Sequence, residues 1–145
     1  MIPITFLVLS PVGLSPLYQE VQRFYQSTEY LQPVTAQETC IIAQTTNTIA
    51  GCCRLVEEEE ILLLRGMQVA KELRGQGIGS QMLSPIRKAI GQQPCYCIPY
   101  NDLEPFYGSI GFQKIDPAQA SLFLQERLKF YKQAGLSCII MKKDS

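Results

Sequence analysis

The chain contains no histidine, and no two of its six cysteines stand as Cys-x-x-Cys. The usual ligand sets of a zinc site are therefore missing, and no metal is expected. There is no surplus of charge either: lysine plus arginine and aspartate plus glutamate number 13 each, so composition points neither to nucleic acid nor to an anionic membrane. The longest apolar runs fall well short of the roughly 18 residues a membrane span needs. The opening residues, MIPITFLVLSP, lack the positive start and small-residue cleavage site of a signal peptide, which makes a cytoplasmic protein the expectation. No linker, repeat or low-complexity run interrupts the 145 residues, a length that suits a single domain over 1–145 with a buried core. Cys40, Cys52, Cys53, Cys95, Cys97 and Cys138 all sit in apolar, strand-like surroundings, and buried thiols in a reducing compartment are the expected reading.

What is present concentrates in residues 61–83, ILLLRGMQVAKELRGQGIGSQML. An apolar run over 61–69 leads through a short polar connector into Arg74-Gly75-Gln76-Gly77-Ile78-Gly79. A helical pattern follows at once, with Ile78, Met82, Ile86 and Ala89 near helical spacing. Strand, glycine-rich turn and helix make an anion-binding arrangement. Glycines let the backbone come close to a phosphate, and the first-turn amides of a helix point at it with a favourable dipole. A Walker loop would end in Gly-Lys-Ser/Thr, whereas Gly79 is followed by Ser80 and Gln81. A dinucleotide fingerprint needs Gly-x-Gly-x-x-Gly, whereas Gly75, Gly77 and Gly79 alternate.

Arg74, Gly77 and Gly79 do meet Gln/Arg-x-x-Gly-x-Gly/Ala, and here the chain resembles the GNAT superfamily of acyl-CoA-dependent N-acyltransferases. A second match follows in the expected order. Phe106-Tyr107-Gly108-Ser109-Ile110-Gly111-Phe112 resembles that superfamily's Phe/Leu-Tyr-x-x-x-Gly-Phe segment. The resemblance spans residues 39–142 and is weak only over the first thirty. It implies an α/β (α+β) fold, a mixed, mostly antiparallel central sheet flanked by helices.

In chain order, the patterns predict a strand over 4–9 and a helix opened by Ser15-Pro16 with Leu17, Val21, Phe24 and Tyr25 on its apolar face. A loop over 29–33 ends at Leu31-Gln32-Pro33. Strands over 39–44 and 48–56 form a hairpin through Thr45-Thr46-Asn47. Glu57, Glu58, Glu59 and Glu60 read as a solvated turn, or alternatively as carboxylates drawing a cationic amine. The strand over 61–69 should have both faces covered, with Gly66 marking a bulge. A helix over 76–90 should be kinked by Pro85. Then follow a strand over 94–99, a short helix from 102 or 103 to 110, and a strand over 112–115. A helix opened by Asp116-Pro117 ends at Gly135, and a strand over 136–141 precedes a polar tail. Many superfamily members have only a loop where this last helix stands.

The resemblance also implies roles. Backbone groups of Arg74, Gly75, Gln76, Gly77, Ile78, Gly79 and Ser80 would hold the pyrophosphate of acetyl-CoA, a co-substrate. Main-chain groups of Met67 and Val69 would pair with pantetheine, with the Met67 amide facing the developing oxyanion. Tyr107 would be the general acid for the departing thiolate. Two positions depart from the family. Tyr100 stands where an asparagine often contacts CoA, with Asn101 one place late. Leu62, Leu63 and Leu64 fill positions where some members carry a glutamate base, leaving an ordered water, Glu60 or Glu104 for that task. The acceptor amine, on a small molecule or on a peptide or protein, would lie against residues 17–33 and 117–134. Arg127 and Lys129 there read as solvated or as contacts for an anionic acceptor. A homodimer fits the same resemblance. The alternatives are a non-catalytic acyl-CoA sensor and an oligomerising α/β domain whose glycine turn is purely structural.

Overall fold

Among the described residues seven strands and four α-helices follow in the order β-α-β-β-β-α-β-α-β-α-β, as the patterns predict. The computed structural model describes residues 3–30 and 32–145; Met1 and Ile2 of the N-terminal reading, and Leu31 of the predicted loop, lie outside the described residues. The strands are β1 (Thr5–Leu9), β2 (Thr39–Gln44), β3 (Ile49–Glu58), β4 (Ile61–Val69), β5 (Cys95–Cys97), β6 (Phe112–Lys114) and β7 (Met141–Lys143). The helices are α1 (Tyr18–Ser27), α2 (Ile78–Ile90), α3 (Glu104–Gly108) and α4 (Leu122–Gln133). The hydrogen-bonded order is β1-β2-β3-β4-β5-β7-β6. β4 and β5 run parallel, paired at Leu63↔Tyr96, while β1–β2, β2–β3, β5–β7 and β6–β7 run antiparallel, so the sheet is mixed and mostly antiparallel. Among the described residues no helix is long and apolar enough to cross a membrane.

The chain divides into two compact units, residues 1–56 with 64–90 and residues 57–63 with 91–145. In the first, β1, β2 and β3 run antiparallel, with Leu7 opposite Ile42 and Ile42 opposite Cys52. Cys40, Ile42 and Cys52 share one face with Val21, Phe24 and Tyr25 of α1. The opposite face takes α2, which buries Ile78, Met82, Ile86 and Ile90. Gly51 of β3 makes room for it: a Cβ there would stand 2.7 Å from Met82 Sδ. Helices on both faces explain why β2 and β3 are buried almost without alternation.

In the second unit β7 lies between β5 and β6, antiparallel to both, with Lys142 opposite Tyr96 and Gln113. Leu124 and Leu128 of α4 pack with Leu63, Ala120, Cys138 and Ile140. Cys95 and Cys97 are buried on one face of β5 with Tyr96 half-buried between them, and all six cysteines are buried thiols.

Several boundaries move for local reasons. Ser15 does not cap the first helix: its Oγ accepts from Leu17 N–H at 3.0 Å and closes a turn, and α1 starts at Tyr18. Gln76 and Gly77 stay in the turn, so α2 starts at Ile78, and its fourth buried position is Ile90 rather than Ala89. Pro85 is accommodated in a helix that continues to Ile90. Asp116 caps only a 3-10 turn (Pro117–Gln119), after which Ala120 is extended and buried. Ser121 then caps α4, its Oγ accepting from Leu124 N–H at 3.4 Å, which leaves Leu122 exposed outside the core. The strand predicted over 94–99 is regular only over Cys95–Cys97. The helix predicted up to Ile110 is a 3-10 turn (Asn101–Leu103) and five residues of α3. The last strand is displaced into the supposed polar tail: residues 137–140 make irregular bonds, and regular pairing begins at Met141 and takes in Lys142 and Lys143. β4 is internal in the sheet, but only Leu63, Leu64 and Gly66 are fully buried.

Ser121→Ala should lower unfolding free energy by about 0.5–1 kcal/mol, the low end for a helix cap because its bond is long. A shift of the urea midpoint checks this, and an unchanged midpoint would mean that the cap contributes nothing.

Candidate functional site

The candidate anion site is built at the carboxyl end of β4. Ala70 N–H donates to Ala50 O of β3 at 2.8 Å. Successive strand amides alternate in direction, so the amides of Val69 and Met67 point away from β3. Both residues are half-buried. The Val69 carbonyl accepts from Arg74 Nε–H at 3.0 Å, while Arg74 Nη2 reaches Gln68 Oε1 at 3.3 Å. The signature arginine thus ties the turn back to the strand that precedes it.

A 3-10 turn (Lys71–Leu73) leads from Ala70 to that arginine. Gly75 and Gly77 then each take φ +81, and a Cβ at either would meet nothing within 4 Å. These glycines answer the left-handed backbone rather than crowding, and they leave open space at the mouth of α2. The first bond of α2 runs from Gln81 N–H to Gly77 O at 3.1 Å. The amides of Ile78, Gly79 and Ser80 precede it, in the turn whose donors no helical carbonyl can reach. Ile78 is buried and anchors the helix start, while Ser80 is exposed. Beside the turn, Lys71 pairs with Glu29 at 2.8 Å; that hydrogen bond and charge hold the Glu29 carboxyl below its usual range.

Tyr107 lies in the second unit, in α3, and is 6% exposed. Its ring meets Phe106 and Phe112 edge-on, at centroid distances of 5.0 and 6.1 Å. Gly111 supplies the turn at φ +106, with Lys143 Cε 3.5 Å from where its Cβ would stand. Asn101 is exposed, donates its N–H to Ser137 O at 2.9 Å, and borders an open hollow with Asp102, Glu104 and Lys114. Glu60 and Glu104 are both exposed.

Glu59 and Glu60 turn the hairpin between β3 and β4 at φ 48 and φ 65, the handedness that a two-residue turn demands. Glu58 does not share the predicted solvation. It is half-buried and pairs with Arg127 at 2.8 Å, and the Arg127 guanidinium lies 4.6 Å from the Phe123 ring centre. Arg127 is therefore engaged in a half-buried ion pair, whereas Lys129 is exposed as read. No group of three or more histidine, cysteine, aspartate or glutamate residues is placed to hold a metal ion among the described residues.

Two features escaped the sequence reading. Tyr25, read only as part of an apolar helix face, donates its hydroxyl to Gly66 O at 2.7 Å. Arg54 and Glu38, both nearly inaccessible, form an ion pair at 2.7 Å. The visible signal for the second was a lone cation inside the apolar run Ala50-Gly51-Cys52-Cys53-Arg54-Leu55-Val56.

Residues 36–114 match the family model of the acetyltransferase (GNAT) domain, a span holding both the glycine turn and Tyr107. No curated protein matches the chain. Solved structures similar to it include an acyl-CoA N-acyltransferase from Pseudomonas aeruginosa, with a TM-score of 0.72 and 14% identity over 97% of this chain and 99% of that one. ElaA from Escherichia coli superposes with a TM-score of 0.69 and 17% identity over 98% and 100% of the two chains. A GNAT family acetyltransferase from Elizabethkingia anophelis, solved with acetyl-CoA bound, gives 0.64 and 18% over 98% of each. At these identities the structures speak for the fold alone, and the matched domain spans more than half of the sequence. On that match, the chain belongs to the GNAT acetyltransferase family.

Proposed function

We propose that the chain is one N-acetyltransferase domain over residues 1–145, cytoplasmic, moving the acetyl group of acetyl-CoA to a primary amine of a small molecule or of a peptide or protein. The observation that carries this reading is the turn between β4 and α2, where two left-handed glycines precede a set of helix-start amides. The Elizabethkingia relative, which holds acetyl-CoA, supports the choice of ligand.

In this reading the backbone from Gly75 to Ser80, with Arg74 bracing the turn, holds the pyrophosphate. Main-chain groups of Met67 and Val69 align pantetheine, and the Met67 amide receives the developing oxyanion. The amine nitrogen attacks the thioester carbon, the C–N bond forms and the C–S bond breaks. The amine gives its proton to a water or an acidic side chain, and the thiolate takes one from the Tyr107 hydroxyl.

The test is thermal unfolding with CoA and acetyl-CoA, followed by a screen of amines for thiol release. Absence of any ligand-dependent shift would sink the reading. Tyr107→Phe should cut turnover by about 10²-fold while leaving CoA affinity intact. β4 carries no carboxylate, which favours a second reading as a non-catalytic acyl-CoA sensor. A chain that binds acetyl-CoA and releases no thiol with any amine would establish that alternative.

A further inference from the structure

Gly66 takes φ +67 within β4, a conformation that extended strand does not use. A Cβ there would lie 3.1 Å from both Arg54 Cδ and the Tyr25 hydroxyl, so the site is tight as well as left-handed. The hydroxyl does more than fill space, because it donates to the Gly66 carbonyl at 2.7 Å. Tyr25 is only 2% exposed. Its ring is held by Phe24 at 5.5 Å, Tyr30 at 5.4 Å and the Arg54 guanidinium at 5.1 Å. Burial above all, with Cys52 and Cys53 alongside, pushes its hydroxyl well above the usual range, so it keeps the proton it donates.

The other end of the same peptide unit is the Met67 N–H. A trans peptide is planar, and its C=O and N–H point in opposite directions. A bond that fixes the carbonyl therefore fixes the amide. Donation to the carbonyl also polarises the unit and strengthens its N–H as a donor.

We infer that Tyr25 is a positioning residue, aiming the Met67 amide at the thioester oxygen of the acyl donor through the carbonyl of Gly66. This rests on the acyl-CoA reading proposed above. Tyr25 reaches the reaction only through backbone, so its effect falls on how the acyl group is received and not on the pyrophosphate turn.

Calorimetric titration of Tyr25→Phe with CoA and with acetyl-CoA tests the assignment, since phenylalanine keeps the ring and removes the donor. CoA affinity should stay within about twofold of wild type, while the preference for acetyl-CoA over CoA shrinks by roughly 5- to 10-fold, the effect of one hydrogen bond. A variant that melts earlier but keeps the full preference would show a structural role only and overturn the inference. Failure of wild type to bind either ligand would instead remove the acyl-CoA reading, and this inference with it. Should the variant not fold, 3-fluorotyrosine at position 25 keeps the hydroxyl and makes it a stronger donor. The Met67 amide proton resonance should then move downfield, and an unmoved resonance would overturn the link.

Discussion

On the acyl-CoA reading proposed above, Gly77→Glu is expected to abolish the stabilisation that acetyl-CoA confers. At about 100 times its dissociation constant, the ligand should add ~2.7 kcal/mol to wild type. For a chain of this length that is a rise in melting temperature of roughly 5–10 °C. The glutamate should lose all of it, for two physical reasons. Its carboxylate would stand at the helix start that the proposal assigns to the pyrophosphate, and its side chain would occupy the open space in front of Gly77. The fold should survive. A side chain at φ +81 costs about 1–2 kcal/mol, and nothing lies within 4 Å of the new Cβ to clash. A full ligand-dependent shift in the variant would show that CoA binds elsewhere.

Arg54→Met should cause the largest loss of stability, about 3–5 kcal/mol, read as a fall in the urea midpoint. The guanidinium is nearly inaccessible and each of its three nitrogens donates: Nε to Glu38 Oε1 at 2.7 Å, Nη1 to Gln32 O at 2.9 Å and Nη2 to Pro33 O at 3.3 Å. Burial opposes its charge, yet its pKa is raised, with the Glu38 carboxylate bonded to Nε, so it is a cation at every working pH. Among the described residues, methionine would leave the buried Glu38 carboxylate with Thr35 N–H and Oγ1 as its donors, at 2.7 and 3.0 Å. Removing both charges, as Arg54→Met with Glu38→Leu, should recover much of the loss, because an apolar pair leaves no uncompensated charge. A single-variant loss below about 1 kcal/mol would mean that Glu38 escapes to solvent once its partner is gone.

Much of this molecule was legible from local pattern. The element order, the β2–β3 hairpin, the limits of β4, and the turn-plus-helix at 74–90 all rest on interactions between residues close in sequence. Hydrophobic period, glycine and β-branching report such interactions directly. Of the helix starts that moved, those of α1 and α4 did so because Ser15 and Asp116 each close a short turn of their own, and a capping side chain looks the same in sequence whether or not a helix continues beyond it. The final strand was misplaced because Lys142 and Lys143 look like a solvated tail. β7 pairs on both sides, and Lys143 lays its stem along Gly111.

Sequence alone determined the family and the candidate anion-binding turn, since the backbone conformation that Gly75 and Gly77 allow is a property of those residues themselves. Only the tertiary structure decided how Gly66 is held, which charges are internal, and that Arg127 pairs with Glu58. Those outcomes join residues far apart in the chain: 41 positions from Tyr25 to Gly66, 16 from Glu38 to Arg54 and 69 from Glu58 to Arg127. Each partner carries its chemistry in the sequence, but the short distance between them exists only once α1, β3, β4 and α4 are in place.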